Sequence, residues 1–115
     1  MKSFLDNLIL YLKNFWNFIF TPSPKWADIK GYENIYQIST NGDIYNVRDF
    51  KNVSTFFKKD GYECVALTDN KGNVRQHRVH RLVARTFLPN DNKKNLVKHI
   101  DGDKTNNKVT NLTWV

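Results

Sequence analysis

The spacing of apolar positions changes character several times along the chain. In residues 1–20, MKSFLDNLILYLKNFWNFIF, polar side chains recur at Ser3, Asp6, Asn7, Lys13, Asn14 and Asn17. That spacing is helical and predicts an amphipathic helix with a wide apolar face. Ser3 with Asp6 resembles a capping pair. TPSP, residues 21–24, ends the helix and opens a stiff linker over 21–25. From Trp26 the pattern shortens to alternating runs. YQIST and DIYNV flank Asn41-Gly42, a strong hairpin signal. VSTFF, YECVALT and NVRQHRV alternate and are separated by KKDG and DNKG turns, which predicts a small antiparallel meander. HRLVARTFL, residues 80–88, puts Leu82, Val83 and Phe87 on one helical face before Pro89 closes it. NLVKHI and LTWV are the last two strand candidates, bracketing a polar loop from Asp101 to Asn107. The expected class is α+β.

Residues 1–20 raise the question of targeting. Their longest uninterrupted apolar run is Leu8 to Leu12, far short of a spanning helix, and no small-residue cleavage site follows. No integral membrane segment is therefore expected. The polar face is poor in lysine, which argues against a membrane-surface role. The segment is expected to pack on the body of the protein or to dock to a protein partner.

The 115 residues suit one compact domain or two small modules. The single cysteine, Cys64, excludes a disulfide framework and a cysteine-based zinc site within one chain. It sits in an alternating run as a small core residue. This usage fits a reducing, cytoplasmic setting.

Net charge is +7, and its placement matters more than its size. Residues 26–70 hold five Lys/Arg against seven Asp/Glu, whereas residues 71–115 hold ten Lys/Arg against three Asp. Such a localised basic excess is the electrostatic footprint of a nucleic-acid binder, because phosphate neutralisation supplies most non-specific affinity. The candidate contacts to double-stranded DNA are Arg75, Arg78, Arg81, Arg85, Lys98, Lys104 and Lys108. Arginine adds bidentate hydrogen bonding to phosphate. Their bland alternative is a solvated charged face. His77 and His80 in RQHRVHRL lack a third ligand nearby in sequence, so surface or helix-seating roles are expected of them. Trp26, Tyr32, Tyr36, Tyr45, Phe56 and Phe57 are expected in the core of the small sheet.

Two stretches carry a family resemblance. WADIKGYENIYQISTNGDIYNV, residues 26–47, resembles the NUMOD-type nuclease-associated module of phage and intron homing endonucleases, through Trp26, Gly31-Tyr32-Glu33, Tyr36-Gln37-Ile38-Ser39 and Gly42. VHRLVARTFLPNDNKKNLVKHIDGDKTNNKVTNLTWV, residues 79–115, resembles the HNH (His-Me finger) nuclease motif. Together they divide the chain into an N-terminal helix (1–20), a linker (21–25), a NUMOD-type module (26–74) and a ββα-metal motif (75–115).

The resemblance implies a DNA endonuclease that uses a histidine general base with magnesium or another divalent metal. It assigns the base to His99 and the middle motif residue to Asn111, which ties the loop to the base and helps orient it. Leu112 and Trp114 match apolar positions that seat the second strand. Two departures bear on activity. The position before the base, which binds the metal in related enzymes, is Lys98, and an ammonium has no lone pair to give. The sequence ends at Val115, before the expected last helix and its ligand. Asp101 and Asp103 are read as turn formers rather than substitute ligands. No metal ligand is therefore assigned. The alternative to an active endonuclease is a catalytically degenerate HNH-derived protein that binds DNA or a host protein as a phage-type regulator or inhibitor.

Overall fold

In a computed structural model the chain is described over residues 23–115, so the helix expected at 1–20 lies outside the described residues. Seven strands lead into one helix: β1 (Trp26–Asp28), β2 (Tyr36–Ser39), β3 (Ile44–Asn46), β4 (Lys51–Asn52), β5 (Phe56–Phe57), β6 (Glu63–Thr68), β7 (Val74–Arg78) and α1 (Val79–Phe87). Strand β8 (Val97–His99), a 3-10 turn (Val109–Asn111) and β9 (Leu112–Trp114) follow. All strand pairing is antiparallel between sequence neighbours, but the meander is split. Strands β1 to β4 form one sheet, β5 to β7 a second and β8 with β9 a third. The break falls at Val53, which packs against the core and turns the chain from one sheet to the next.

The β2–β3, β5–β6 and β6–β7 hairpins share one device. Each loop of three residues ends in a glycine at positive φ, namely Gly42 (89°), Gly61 (88°) and Gly72 (84°). The glycine N–H donates to the residue that opens the loop, Ser39, Lys58 or Asp69. The Asn41-Gly42 signal thus takes the three-residue form, with glycine in the left-handed position that closes the bulge. Ser39 is fully buried, and its Oγ accepts from the N–H groups of Asn41 and Asp43, both at 3.1 Å.

Helix α1 packs against β2, β6, β7, β8 and β9, so it joins the front sheets to the last hairpin. It starts one residue earlier than the apolar spacing predicts. Val79, Leu82, Val83 and Ala84 are buried on it. They meet Ile29, Ile35, Ile38, Ile44, Val65, Leu67 and Leu112 in one core. Cys64 is buried as expected. Tyr32 and Tyr36 are buried and meet edge to face at 5.8 Å. Trp26, Phe56 and Phe57 are not core residues: they are 43%, 37% and 58% exposed. They lie on β1 and β5, the edge strands of their sheets. Among the described residues no helix is long and apolar enough to cross a membrane.

His77 and His80 are drawn inward rather than left on the surface. His77 Nε2 meets the Tyr32 hydroxyl at 2.8 Å. His80, in the first turn of α1, is 4% exposed, and its Nδ1 is buried without a hydrogen-bond partner among the described residues. Burial first, then the charges of His99, Arg78 and Arg81, lower its pKa from 6.5 to about 4. Burial, then Arg85 and Arg75, also lower that of His77.

Two outcomes follow from this packing. A Cβ at Gly42 would stand 3.3 Å from Asn107 Cβ and 3.4 Å from Val79 Cγ1, whereas one at Gly72 would meet nothing within 4 Å. A left-handed non-glycine residue costs about 1–2 kcal/mol. Urea unfolding should therefore show that cost for Gly72→Ala and a larger one for Gly42→Ala; equal losses would contradict the contact. The histidines set a pH dependence. An unfolded His80 binds a proton near pH 6.5 and the folded one only near 4, so the unfolded state binds more protons in between. Stability should fall as pH drops through that window, and His80→Phe should flatten the slope in urea midpoints measured across it. A slope unchanged by the substitution would sink this account.

Candidate active site

The site is built on the β8–β9 hairpin, where His99 pairs with Leu112, Lys98 with Thr113 and Val97 with Trp114. Between the strands the loop is closed by short polar contacts. Asn111 ties it at both ends. Its Oδ1 accepts from the Asp101 N–H at 3.1 Å, and its Nδ2 donates to Asp101 Oδ1 at 2.8 Å and to the Asn106 carbonyl at 2.9 Å. The Ile100 N–H donates to the Asn111 carbonyl at 2.8 Å. Asp101 Oδ1 also accepts from the Asp103 N–H, and Asp103 Oδ1 accepts from Thr105 N–H and Oγ1–H. Hydrogen bonds hold both carboxyls below the usual carboxylate range, from Asn106 first for Asp101 and from Thr105 first for Asp103.

His99 is 6% exposed. Its imidazole is held by Asn107, not by Asn111: Nε2 lies 2.7 Å from Asn107 Oδ1. Asn107 Nδ2 donates in turn to Glu63 Oε2 at 3.0 Å, and Glu63 Oε1 accepts from Thr55 Oγ1–H at 2.8 Å. Aromatic rings also flank the imidazole. The His80 ring lies 4.9 Å from it, tilted by 41°, and Tyr62 stacks on His80 at 4.9 Å and 19°. The Tyr62 ring is 6.1 Å from that of His99.

The seven basic candidates separate into groups. Arg78 and Lys104 stand over the Tyr62 ring at 4.5 and 4.7 Å, beside the imidazoles. Both also reach Asp60, Arg78 through its carboxylate at 3.0 Å and Lys104 through its backbone carbonyl at 2.8 Å. Arg81 and Arg85 line a cavity of about 740 Å³ with Tyr32, His77, Lys94 and Trp114. Arg75 lies near its His77 and Tyr32 side, close enough to shift both groups. Lys98 and Lys108 are exposed. Lys98 follows the strand alternation and points away from the His99 face.

A divalent metal, which the resemblance implies, does not fit this donor set. Among the described residues no three His, Cys, Asp or Glu side chains converge on one point. Lys98 offers no lone pair. The Asp101 and Asp103 carboxylates are engaged by the loop's own donors.

Four residues of the cluster escape a reading by motif: Tyr62, Glu63, His80 and Asn107. Two carried a usable signal. His80 lies four residues before Ala84, and so borders the apolar face of α1. Glu63 shares its strand face with the buried Val65 and Leu67. Nothing distinguishes Asn107 from the other asparagines of its loop.

Comparison with known proteins shows the family. Residues 25–68 match the family model of the NUMOD4 motif, and residues 77–115 match that of an HNH endonuclease. DNA endonuclease I-HmuI of Bacillus phage SP01 is 42% identical over 91 residues, which span 79% of this chain and 52% of that protein. An uncharacterized HNH endonuclease of Acanthamoeba polyphaga mimivirus is 42% identical over 90 residues, spanning 78% of this chain and 26% of that one. The chain is similar in structure to I-HmuI as solved in work on DNA binding and cleavage by that homing endonuclease. The TM-score is 0.73 at 41% identity, over 79% of this chain and 52% of that one. The chain thus spans about half the length of the phage enzyme it matches. With two matched segments in tandem and one fold shared across both, the chain belongs to the HNH endonucleases, with a NUMOD4 motif ahead of the HNH segment.

Proposed function

We propose that this chain is the cleaving unit of a phage-type DNA endonuclease that hydrolyses phosphodiester bonds in the cytoplasm of a bacterial host. The observation that carries the reading is the buried His99 imidazole, hydrogen-bonded at one nitrogen and bordered, through Tyr62, by Arg78 and Lys104. A neutral imidazole is suited to take a proton from the attacking water, because its ordinary pKa lies near working pH. Arg78 and Lys104 stand where they can meet the phosphate whose charge grows during attack. Asn111 keeps the loop folded under the imidazole. Arg75, Arg81 and Arg85, with Lys98 and Lys108, supply further positive charge for the duplex backbone. No step is assigned to a metal, and divalent cations enter as a variable of the assay.

Lys98, where related enzymes carry a ligand, favours one second reading: a protein that holds DNA without cutting it. The two differ in one experiment. Supercoiled plasmid incubated with the protein and magnesium or manganese should be nicked, and His99→Ala should slow nicking by about 100- to 10,000-fold. Intact plasmid together with salt-dependent binding would replace the endonuclease by the binder. Neutralising Arg78 and Lys104 together should reduce the salt dependence of DNA binding, by about one unit of log–log slope per lost phosphate contact. An unchanged slope would remove that pair from the interface.

A further inference from the structure

The hydrogen bonds around Asn107 carry more than position. A carboxylate only accepts hydrogen bonds, so Glu63 Oε2 at 3.0 Å must face the amide nitrogen of Asn107. The opposite amide orientation would set two acceptors against each other. With Nδ2 committed to Glu63, the atom that faces the imidazole is Oδ1, also an acceptor, at 2.7 Å from His99 Nε2. Nε2 must then carry the hydrogen. In a neutral ring the lone pair is left on Nδ1.

We propose that Glu63 is a positioning residue of the general base, which acts through Asn107 to hold His99 as the Nε2–H tautomer and so makes Nδ1 the nitrogen that takes the proton. The assignment of a base rests on the endonuclease reading; the tautomer does not. The chain of groups runs between the two family segments. Glu63 stands on β6, within the segment that matches NUMOD4, whereas Asn107 and His99 stand in the HNH segment. The front module also props the asparagine from behind. The Gly42 backbone is so close that an added Cβ would lie 3.3 Å from Asn107 Cβ, and the Val109 N–H donates to the Thr40 carbonyl at 2.8 Å. Asn107 is 4% exposed, so its amide has no free solvent partner to turn toward. The NUMOD4 segment therefore completes the base of its neighbour, in addition to whatever DNA it touches.

The test is a nitrogen-15 NMR spectrum of the histidine rings in the full chain, recorded at about pH 8, above the ordinary range of a free imidazole. His99 should show a protonated Nε2 and a bare Nδ1. A dominant Nδ1–H form in the wild type overturns the proposal without any variant. Glu63→Gln keeps the side-chain shape but can present either an oxygen or a nitrogen to Asn107, so the amide is free to turn over. The variant should give a mixture of tautomers. Its plasmid-nicking rate at saturating DNA should fall by about 10- to 100-fold, with little change in the DNA concentration needed. Thr55→Val removes the other hydrogen bond to Glu63 and should leave the tautomer as it is. An unaltered Nε2–H signal in Glu63→Gln, or loss of that signal in Thr55→Val, overturns the proposal. A tautomer that shifts as expected in a protein that never nicks plasmid supports the positioning role and sinks the endonuclease reading instead.

Discussion

Asn107 makes two hydrogen bonds in opposite directions, and the imidazole of His99 stays where it is because both are made. The amide is buried between a carboxylate from β6 and a histidine from β8. A buried primary amide left half-bonded would cost free energy comparable to the hydrogen bond it lost. The arrangement is therefore cooperative. The β6 strand must be in register with β5 and β7 for Glu63 to face inward, and the β2–β3 turn must close tightly for Asn107 to have a wall behind it. A hairpin as short as β8–β9 is at best marginally stable alone. Here α1 and the front sheets supply the surface on which it sits, so the histidine gains a fixed position from residues that lie far away in sequence.

Much of this was legible in the chain. Turn chemistry placed the hairpins, because Gly42, Gly61 and Gly72 each close a loop that needs a left-handed residue. Alternation placed β6 and β7, and helical spacing with Pro89 placed α1 to within a residue. The motif placed His99 on a strand beside a closed polar loop. Other features were settled by packing, which no local pattern records. The meander divides between β4 and β5, where Val53 packs against the core. Trp26, Phe56 and Phe57 stay exposed because they occupy edges, and residue type alone does not separate an edge strand from a central one. Asn111 and Asn107 are alike in composition. Only the three-dimensional turn of the loop decides that the first binds Asp101 and the second binds the imidazole.

The electrostatics of the site follow from the same packing. Two imidazoles lie 4.9 Å apart, an arrangement that would be repulsive if both were charged. Burial keeps His80 neutral by lowering its pKa to about 4, so under the proposed reading a proton taken up by His99 would meet no charge in the ring beside it. The cations are placed outside this pair. Arg78 and Lys104 rest over the face of Tyr62, where the ring quadrupole attracts them. Their other contacts are to Asp60 in an exposed turn, and an exposed ion pair of that kind contributes little to stability. They are accordingly free to exchange Asp60 for another anion at small cost. Under the endonuclease reading that anion would be a phosphate of the duplex, and the neutral interior and the cationic border would be two parts of one arrangement.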